Sequence, residues 1–301
     1  MTTQAIDRAS RRQAVAVTGV VPPIPTPFRD GSVDLDSLKR ELDDLFESVE
    51  GVLIGGSTGE ASSLTLAERE SVIRTVSAHY GRERPIVVSI ADNSIENSRA
   101  LSEIAGECEA PLLILSCPSY FPNSRSMLEA FFGAVAEFAS ADLCLYDNPV
   151  ASNTVLGVDD VVALVRAVPR LTHIKMTDTS LEKVHALHAE LDGVTILAGD
   201  DSVLWHQLLG GADGIMTAIP MIFPQQTARM WRTFQAGDFE AAAEEYRGLS
   251  HFIHAALGPD YPAAVKAVLH ERGVIASPEV RLPLVGLSPG RRGEILAAAG
   301  V

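Results

Sequence analysis

The amino-acid sequence predicts an α/β protein, specifically a (β/α)8 TIM barrel with a C-terminal helical appendage. Short apolar runs alternate with longer amphipathic segments, and after residue 224 only helical patterns follow. The runs are almost uniformly apolar, which is typical of parallel strands that are buried on both faces. Eight such runs favour a closed barrel over an open sheet. A length of 301 residues suits one barrel domain.

The predicted strands are short and rich in Val, Ile and Leu. In chain order they are TGVVPPIPTPF, GVLIGG, PIVVSI, PLLILS, DLCLYDNP, THIKM, VTILAG and GIMTA. The helical segments between them include DLDSLKRELDDLFESV, SIENSRALSEIAGE, SMLEAFFGAVAEFA, VDDVVALVRAV, LEKVHALHAEL and DSVLWHQLLGG, and TLAE at 65–68 has the form of a capping box. We therefore divide the chain into a flexible N-terminal tail over residues 1–14, the barrel over 15–224 and a helical region over 225–301.

The composition excludes several classes of function. A formal net charge of -15 argues against nucleic-acid binding, which needs a basic surface. Cys108, Cys117 and Cys144 lack metal-type spacing, and their odd number suits a reducing compartment. No apolar run approaches the roughly 18 residues of a membrane span, and the N-terminal tail lacks the apolar core of a signal peptide. We expect a cytoplasmic protein that has neither nucleic acid nor a membrane as its partner.

Chemistry in such a barrel sits at the carboxyl ends of the strands, where the following loops begin. The residues at these ends are therefore the site candidates: Ser57, Thr58, Tyr120, Tyr146, Asp147, Lys175, Asp178, Asp201, Met216 and Thr217. Among them we expect Asp201 and Thr217 to contact the substrate.

Lys175 is the most informative candidate, because it closes the apolar strand LTHIK. A buried ammonium costs free energy unless it is paired or loses its proton. A neutral lysine in such a place is the nucleophile that forms Schiff bases with ketones. The alternative is a strand-end lysine that reaches solvent or pairs with Asp178 or Asp200. Amphipathic patterns instead predict solvated ammonium groups for the other lysines, Lys39, Lys183 and Lys266.

Two further features fit a site around Lys175. Tyr146 ends the neighbouring strand, and a phenol beside an imine can shuttle protons, although a strand-end tyrosine can also be structural. GGSTGE at 55–60 lacks the lysine and the spacing of a phosphate loop. Its backbone N–H groups and the hydroxyls of Ser57 and Thr58 can hold a small anion such as a carboxylate. The alternative is a tight turn whose glycines serve packing only.

Signals for a bound cofactor or metal are weak. GGADGIM has the form of a phosphate-binding or flavin-binding turn but has no companion glycine turn of equal strength. His185 and His188 are spaced as a helical pair that could hold a metal, but no third ligand is evident. We therefore predict no metal and no cofactor.

The motifs VVPPIPTPF, GGSTGE, YDNP, IKMTD, AGDDS and GGADGIM follow one another in this order along nearly the whole chain. In these motifs and in their order, the sequence resembles the dihydrodipicolinate synthase / N-acetylneuraminate lyase family of Schiff-base barrel enzymes. The resemblance implies that Lys175 forms the imine, that Tyr146 moves protons, and that Ser57 and Thr58 hold the keto-acid carboxylate. It also implies that Tyr120 completes a proton relay in the neighbouring subunit of a dimer or tetramer.

The same resemblance places the backbone carbonyl of Met216 opposite the bound keto acid, and it suggests a substrate. Synthases of the family carry an arginine after the strand-five tyrosine, where this chain has Ala151. We therefore expect a lyase that makes or cleaves a C–C bond next to a 2-keto acid, either pyruvate or a keto-deoxy sugar acid that releases pyruvate. Its partners would be this small 2-keto acid and an aldehyde or sugar acid. Alternatives are a dihydrodipicolinate synthase that condenses pyruvate with aspartate semialdehyde, a sugar-acid dehydratase, or a noncatalytic keto-acid-binding barrel.

Overall fold

The computed structural model describes residues 17–80 and 84–301. The predicted flexible tail, residues 1–14, lies outside the described residues. The strands are β1 (Gly19–Val20), β2 (Phe28–Arg29), β3 (Ser32–Val33), β4 (Val52–Ile54), β5 (Ile86–Ser89), β6 (Leu112–Ser116), β7 (Asp142–Asp147), β8 (Leu171–Met176), β9 (Thr195–Ala198) and β10 (Gly214–Ile215). Eight of them form one parallel sheet in the order β1-β10-β9-β8-β7-β6-β5-β4.

The two ends of this sheet meet just beyond β1. The N–H of Leu53 in β4 donates to the carbonyl of Pro22 at 2.8 Å, and the N–H of Ile24 donates to the carbonyl of Leu53 at 3.0 Å. Pro23 and Leu53 form a parallel bridge there. The sheet is therefore closed, and the predicted (β/α)8 barrel is confirmed.

The first predicted strand, TGVVPPIPTPF, is shorter than expected. Proline cannot donate to a ladder, so the prolines that follow Val21 end the regular pairing at β1. The chain then forms the antiparallel hairpin of β2 and β3. Its turn is Asp30-Gly31, with φ of 53° and 77°, the positive values that a tight hairpin turn requires. The Asp-Gly pair was the available signal for this hairpin.

Helices follow the strands as predicted. They are α1 (Leu35–Leu45), α2 (Leu66–Tyr80), α3 (Ile95–Glu107), α4 (Arg125–Phe138), α5 (Pro149–Ser152), α6 (Val158–Ala167), α7 (Lys183–Glu190), α8 (Leu204–Leu209), α9 (Pro224–Gln235), α10 (Phe239–Ala256), α11 (Tyr261–Glu271) and α12 (Pro289–Ala299). The capping box before α2 is present, because Thr65 N–H donates to Glu68 at 2.9 Å and Glu68 N–H donates to the Thr65 hydroxyl at 3.3 Å.

Two buried apolar clusters hold the fold together. The smaller one fills the barrel interior with side chains from most of the strands: Val17, Val21, Leu53, Val87, Leu112, Ile114, Cys144, Leu197 and Met216. The larger one lies between the strands and the helices, and residues of the C-terminal helices such as Trp231, Phe252 and Ile295 belong to it. The C-terminal helices α9–α12 are thus continuous with the barrel core. The boundaries of the three predicted regions stay a prediction.

Candidate active site

Lys175 and Tyr146 lie side by side at the carboxyl ends of β8 and β7. They are register partners in the parallel ladder, and their side chains point into the barrel. Lys175 is only 3% exposed, and its Nζ lies 4.3 Å from the centroid of the Tyr146 ring. A cation above a phenol face is a favourable contact. The predicted pairing of the strand-end lysine with the strand-end tyrosine is therefore present in the fold.

Within the described part of the chain, no carboxylate forms an ion pair with Lys175. Asp178, the first suggested alternative partner, instead accepts a hydrogen bond from Lys183 at 2.7 Å. Asp200, the second, accepts the N–H of Ser202 at 2.8 Å. The ammonium of Lys175 thus has an aromatic neighbour where a structural lysine would have a carboxylate.

Gly199 makes room for the Lys175 side chain. A Cβ at this position would lie 2.9 Å from Cγ of Lys175, 2.7 Å from the carbonyl oxygen of Met176 and 2.6 Å from the hydroxyl oxygen of Thr177. All three separations are shorter than carbon tolerates. Only glycine lets β9 pass this close to the strand end of β8.

The phenol oxygen of Tyr146 has polar neighbours that can hydrogen bond, including Asn148 and Ser57. Asn148 donates to it through Nδ2 at 3.0 Å, and the Ser57 hydroxyl lies 3.5 Å away. Burial raises the pKa of Tyr146, but the Lys175 ammonium and these polar neighbours outweigh it, so the pKa lies below its usual value. A phenol that gives up its proton more readily is suited to proton transfer.

The loop at 55–60 forms a compact turn beside Tyr146. The N–H of Gly59 donates to the carbonyl of Gly56 at 3.1 Å, and the N–H of Glu60 donates to the carbonyl of Ser57 at 3.0 Å. Ser57 is exposed and Thr58 is buried. Both predicted hydroxyl donors therefore lie on the turn that faces Tyr146, and Ser57 contacts the phenol directly.

The prediction of a solvated Lys183 is wrong. Its Nζ lies 2.6 Å from Oδ2 of Asp147 and 2.7 Å from Oδ2 of Asp178, and it donates to the carbonyl of Leu156 at 2.6 Å. Lys183 thereby joins the end of β7 to the end of β8. Burial raises the pKa of Asp147 in spite of this nearby cation. The pattern of α7 gave no warning, because Lys183 opens the helix and extends back toward the strand ends.

The YDNP sequence serves the protein's own structure as well as Tyr146. Asp147 is buried against Lys183. Oδ1 of Asn148 accepts the N–H of Ala151 at 3.0 Å and caps α5, while its amide nitrogen donates to the phenol of Tyr146. Both side chains thus stabilise the turn after β7, and Asn148 adds a contact to Tyr146 that the sequence did not reveal.

The candidates on β9 and β10 are buried. Asp201 accepts the Tyr261 hydroxyl at 2.6 Å and the N–H of Ile219 at 3.3 Å, so both of its oxygens have protein partners. Burial raises its pKa. Thr217 is 2% exposed, and the side chain of Met216 belongs to the interior cluster. Substrate contacts by Asp201, Thr217 and the Met216 carbonyl stay predictions.

Tyr120 lies on the surface of the chain. It is 79% exposed with a φ of 88°, and its ring packs edge-on against Phe121 with a centroid distance of 4.7 Å. Together with Met127 and Phe131 it lines a surface cleft next to the loop after β6. Within one chain, the structure does not bring Tyr120 to the phenol of Tyr146.

The described residues hold no group of three or more His, Cys, Asp or Glu side chains that could bind a metal ion. Nε2 of His188 lies 3.7 Å from Oδ2 of Asp213, on the surface of α7. In residues 17–80 and 84–301, none of the helices combines the length and apolarity that crossing a membrane requires.

In the described part of the chain, Lys175 pairs with no carboxylate and lies against Tyr146 at the strand ends of a closed barrel, an arrangement that fits the class of (β/α)8-barrel lyases. A model of the dihydrodipicolinate synthetase family matches residues 16–299, and the chain belongs to this family.

Similar proteins are known from several organisms. The 4-hydroxy-tetrahydrodipicolinate synthase of Xylella fastidiosa is 31% identical over 278 residues, which is 91% of each chain. The structure of the 4-hydroxy-tetrahydrodipicolinate synthase of Methylacidiphilum fumariolicum SolV superposes with a TM-score of 0.90, 25% identity and 95% coverage of each chain. A prophage protein of the same family from E. coli K12, solved with pyruvate, gives a TM-score of 0.89, 25% identity and coverage of 94% and 99%.

Proposed function

We propose that this protein is a lyase that makes or breaks a C–C bond next to a 2-keto acid through an imine on Lys175. The observation that carries the proposal is the placement of Lys175: it is buried, it lacks a carboxylate partner among the described residues, and it lies on the Tyr146 ring. No cofactor enters the reaction, because the protonated imine itself accepts the electron pair.

The chemistry starts with the neutral amine of Lys175. It attacks the ketone carbon of the 2-keto acid, and loss of one water leaves a protonated imine. Loss of a proton from the adjacent carbon gives an enamine, which adds to an aldehyde carbon. In the reverse direction the C–C bond breaks, the aldehyde leaves and water releases the keto acid. Tyr146 carries the protons in both directions, supported by its contacts with Ser57 and Asn148.

The carboxylate of the keto acid needs fixed donors, because the net charge of -15 gives an anion no general attraction. The hydroxyls of Ser57 and Thr58 and the N–H groups of the 55–60 turn can supply them. In this assignment the turn binds the acid end of the substrate, while Lys175 binds its ketone.

The second substrate is an aldehyde or the aldehyde part of a sugar acid, and Ala151 bears on its identity. Ala151 lies in α5, directly after the strand that carries Tyr146. It offers no cation to an acidic aldehyde, which favours a neutral, hydroxylated partner. The names of the similar proteins favour the alternative, in which the chain condenses pyruvate with aspartate semialdehyde as a 4-hydroxy-tetrahydrodipicolinate synthase.

We also propose that the enzyme works as a homo-oligomer, a dimer or tetramer, in the cytoplasm. The supporting observation is the exposure of Tyr120 and of its neighbours Phe121 and Met127, at 79%, 68% and 52%. Large apolar side chains that cluster on a surface mark an interface. A second copy on this face would bring Tyr120 toward the partner's proton relay.

The imine is tested by borohydride reduction in the presence of pyruvate, followed by peptide mass spectrometry. We expect one adduct, on Lys175, and none in the Lys175→Met variant. An adduct confined to Lys39, Lys183 or Lys266, or the absence of one with any keto acid that turns over, contradicts the mechanism.

The second substrate is tested by comparing kcat/KM for aspartate semialdehyde with kcat/KM for neutral hydroxylated aldehydes. A charge-assisted hydrogen bond is worth roughly 1.5–3 kcal/mol, so its absence at Ala151 should lower specificity for the acidic aldehyde about tenfold to a hundredfold. Ala151→Arg should reduce the difference in kcat/KM between aspartate semialdehyde and the neutral aldehydes. If aspartate semialdehyde is the best substrate by a wide margin, the synthase alternative replaces the proposal for this half of the reaction.

A further inference from the structure

The turn that carries Ser57 and Thr58 is held from behind by a buried ion pair. Glu60 ends this turn, and its Oε1 lies 2.5 Å from Nζ of Lys266 in α11. Both side chains are fully buried, at 0% exposure. Lys266 also donates to the backbone carbonyl of Glu279 at 2.9 Å and lies 4.1 Å from the centroid of the Phe28 ring. The amphipathic pattern around Lys266 predicted a solvated ammonium, and this prediction is wrong.

Glu60 occupies an unusual backbone position. Its φ of 53° lies in the left-handed region, which costs a residue with a side chain free energy and persists only where contacts enforce it. Those contacts are Lys266 on one carboxylate oxygen and the N–H of Arg281, which donates to Oε2 at 2.9 Å. The N–H of Glu60 donates to the carbonyl of Ser57. The side chain of Glu60 is therefore coupled through one hydrogen bond to the residue that contacts Tyr146.

The segment that follows α11 also contacts the chain just after this turn. The Arg281 guanidinium makes two hydrogen bonds to Glu68, at 2.9 and 2.6 Å, and donates to the carbonyl of Ser63 at 3.2 Å. These contacts hold the pKa of Glu68 at about 2. They also keep Arg281 where its backbone N–H meets Glu60.

A nearby carboxyl, Glu41, makes no hydrogen bond to Lys266. Glu41 is fully buried, and neither of its side-chain oxygens has a hydrogen-bond partner among the described residues. Burial raises its pKa well above the usual value, because it disfavours the charged form of the carboxyl. Glu60 is left as the carboxylate that pairs with Lys266.

Stability alone does not account for this pair. Buried ion pairs are weak contributors, and apolar residues of similar volume often replace them without loss of stability. The location of the pair is more informative, because it joins the C-terminal helical region to the turn with the proposed carboxylate donors. We infer that Glu60 and Lys266 are positioning residues, which hold Ser57 and Thr58 in the orientation that binds the carboxylate of the keto acid. This inference rests on the function proposed above.

The inference predicts a loss of selectivity for the carboxylate. The test compares imine formation on Lys175 with pyruvate and with pyruvamide, which has the same ketone but an uncharged amide in place of the carboxylate. The double variant Glu60→Gln, Lys266→Met removes both charges and conserves side-chain size. We expect its rate ratio of pyruvate to pyruvamide to fall about tenfold to a hundredfold, the equivalent of one charge-assisted hydrogen bond. Its rate with pyruvamide should stay near that of the wild type.

A second variant and a control variant are compared by the same rate ratio of pyruvate to pyruvamide. Glu60→Gln alone leaves the buried Lys266 ammonium with only the Glu279 carbonyl and the Phe28 ring, so it should be less stable than the double variant and should lower the ratio by at least as much. Arg291→Met is the control, since it removes the 3.0 Å ion pair to Asp260 elsewhere in the C-terminal region and should leave the ratio unchanged.

The results distinguish failure of the proposed function from failure of the inference about Glu60 and Lys266. A wild type that forms no adduct with pyruvate overturns the proposed function and this inference together. A wild type that forms the adduct, with a ratio preserved in both Glu60 variants, overturns only the inference. Equal loss of both rates, or failure of both variants to fold, identifies the pair as a structural element and also overturns it.

Discussion

Three of the four lysines are buried. They lie in two regions of the molecule, which differ in the group that contacts the lysine ammonium. In the layer between strands and helices, Lys183 and Lys266 each contact at least one buried carboxylate, at 2.6 Å and 2.5 Å. In the barrel mouth, Lys175 contacts the ring of Tyr146 and pairs with no carboxylate in residues 17–80 and 84–301. Burial therefore does not distinguish a nucleophile from a structural lysine. The absence of a countercharge does.

The difference has a physical reason. A lysine that supports the structure needs a countercharge for its ammonium, since an unpaired buried charge is costly. A lysine that attacks a ketone must lose its proton, and a carboxylate at 2.6 Å would keep the proton in place. The aromatic ring is a weaker partner, which stabilises the cation without preventing its deprotonation. Four predictions test this contrast, in order of expected effect.

The largest effect separates the two regions directly. Lys175→Met should abolish turnover while leaving the midpoint of urea unfolding close to that of the wild type, because it strands no charge. Lys183→Met should lower the free energy of unfolding by about 3–5 kcal/mol, because Asp147 and Asp178 lose their cation. In the folded fraction of the Lys183→Met variant, borohydride should still trap pyruvate on Lys175.

Lys39→Met is the control, since this exposed lysine pairs weakly with Asp36 at 3.4 Å. It should change neither turnover nor the free energy of unfolding. The contrast between the regions is lost if Lys183→Met is as stable as the wild type, or if Lys175→Met unfolds.

The second prediction concerns the proton carrier. Tyr146→Phe keeps the ring under Lys175 and removes only the hydroxyl. We expect kcat to fall about 10²- to 10⁴-fold, the usual contribution of a general acid or base. Unfolding measurements should show little change, and a variant that keeps the wild-type kcat would exclude Tyr146 as the proton carrier.

The third prediction concerns a residue that a second subunit contributes to the site at the barrel mouth. Tyr120→Phe and Lys175→Ala subunits should each be nearly inactive alone. In an equal mixture that exchanges subunits, hybrid dimers should recover about a quarter of the wild-type sites, since each hybrid has one complete site. Activity should be absent before exchange. Hybrids that form, as judged by native mass spectrometry, and remain inactive would argue against a relay across subunits.

The smallest effect concerns Asn148, which donates to Tyr146 at 3.0 Å and caps α5. Asn148→Asp keeps the cap acceptor but loses the donor and adds a negative charge. The pKa of Tyr146 should rise, because its deprotonated form loses stabilisation, so the limb of the kcat–pH profile that follows Tyr146 should move to higher pH. At neutral pH, kcat should fall about twofold to tenfold. Asn148→Ser keeps the cap without the charge and should shift the limb less, whereas an unmoved profile would show that the contact does not tune Tyr146.

Sequence patterns predicted the barrel and its strand ends well, because uniformly apolar runs and amphipathic segments report burial directly. They failed where a side chain's environment comes from distant parts of the chain. Lys183 opens α7 and reaches two strand ends, which no periodicity encodes. For Lys266 a signal existed. Its neighbours, Ala263 to Leu269, are buried around the whole circumference of the helix, and a helix that is apolar on all sides is itself buried.

The surroundings of Tyr146 were only partly predictable. Ser57 follows β4 and Tyr146 ends β7, and these strands are not neighbours in the sheet. Their side chains meet because the carboxyl ends of all strands surround one barrel mouth. The contact from Asn148 depends on the local geometry of α5, and Tyr120 depends on a surface that no single chain completes. Side-chain chemistry could be inferred from residue type, but the partners of each side chain required the fold.

The packed interior beneath Tyr146 has a kinetic consequence. Leu112, Cys144 and their neighbours fill the barrel below the site, so molecules enter and leave through the mouth above it. In the proposed reaction, a keto acid bound covalently to Lys175 would block the lower part of this passage. In the cleavage direction, the aldehyde therefore departs first and the keto acid second. In the synthetic direction, the keto acid must arrive before the aldehyde. For the proposed reaction we therefore expect an ordered sequence of binding and release, and an aldehyde present in excess before the keto acid arrives should slow the enzyme by occupying the mouth.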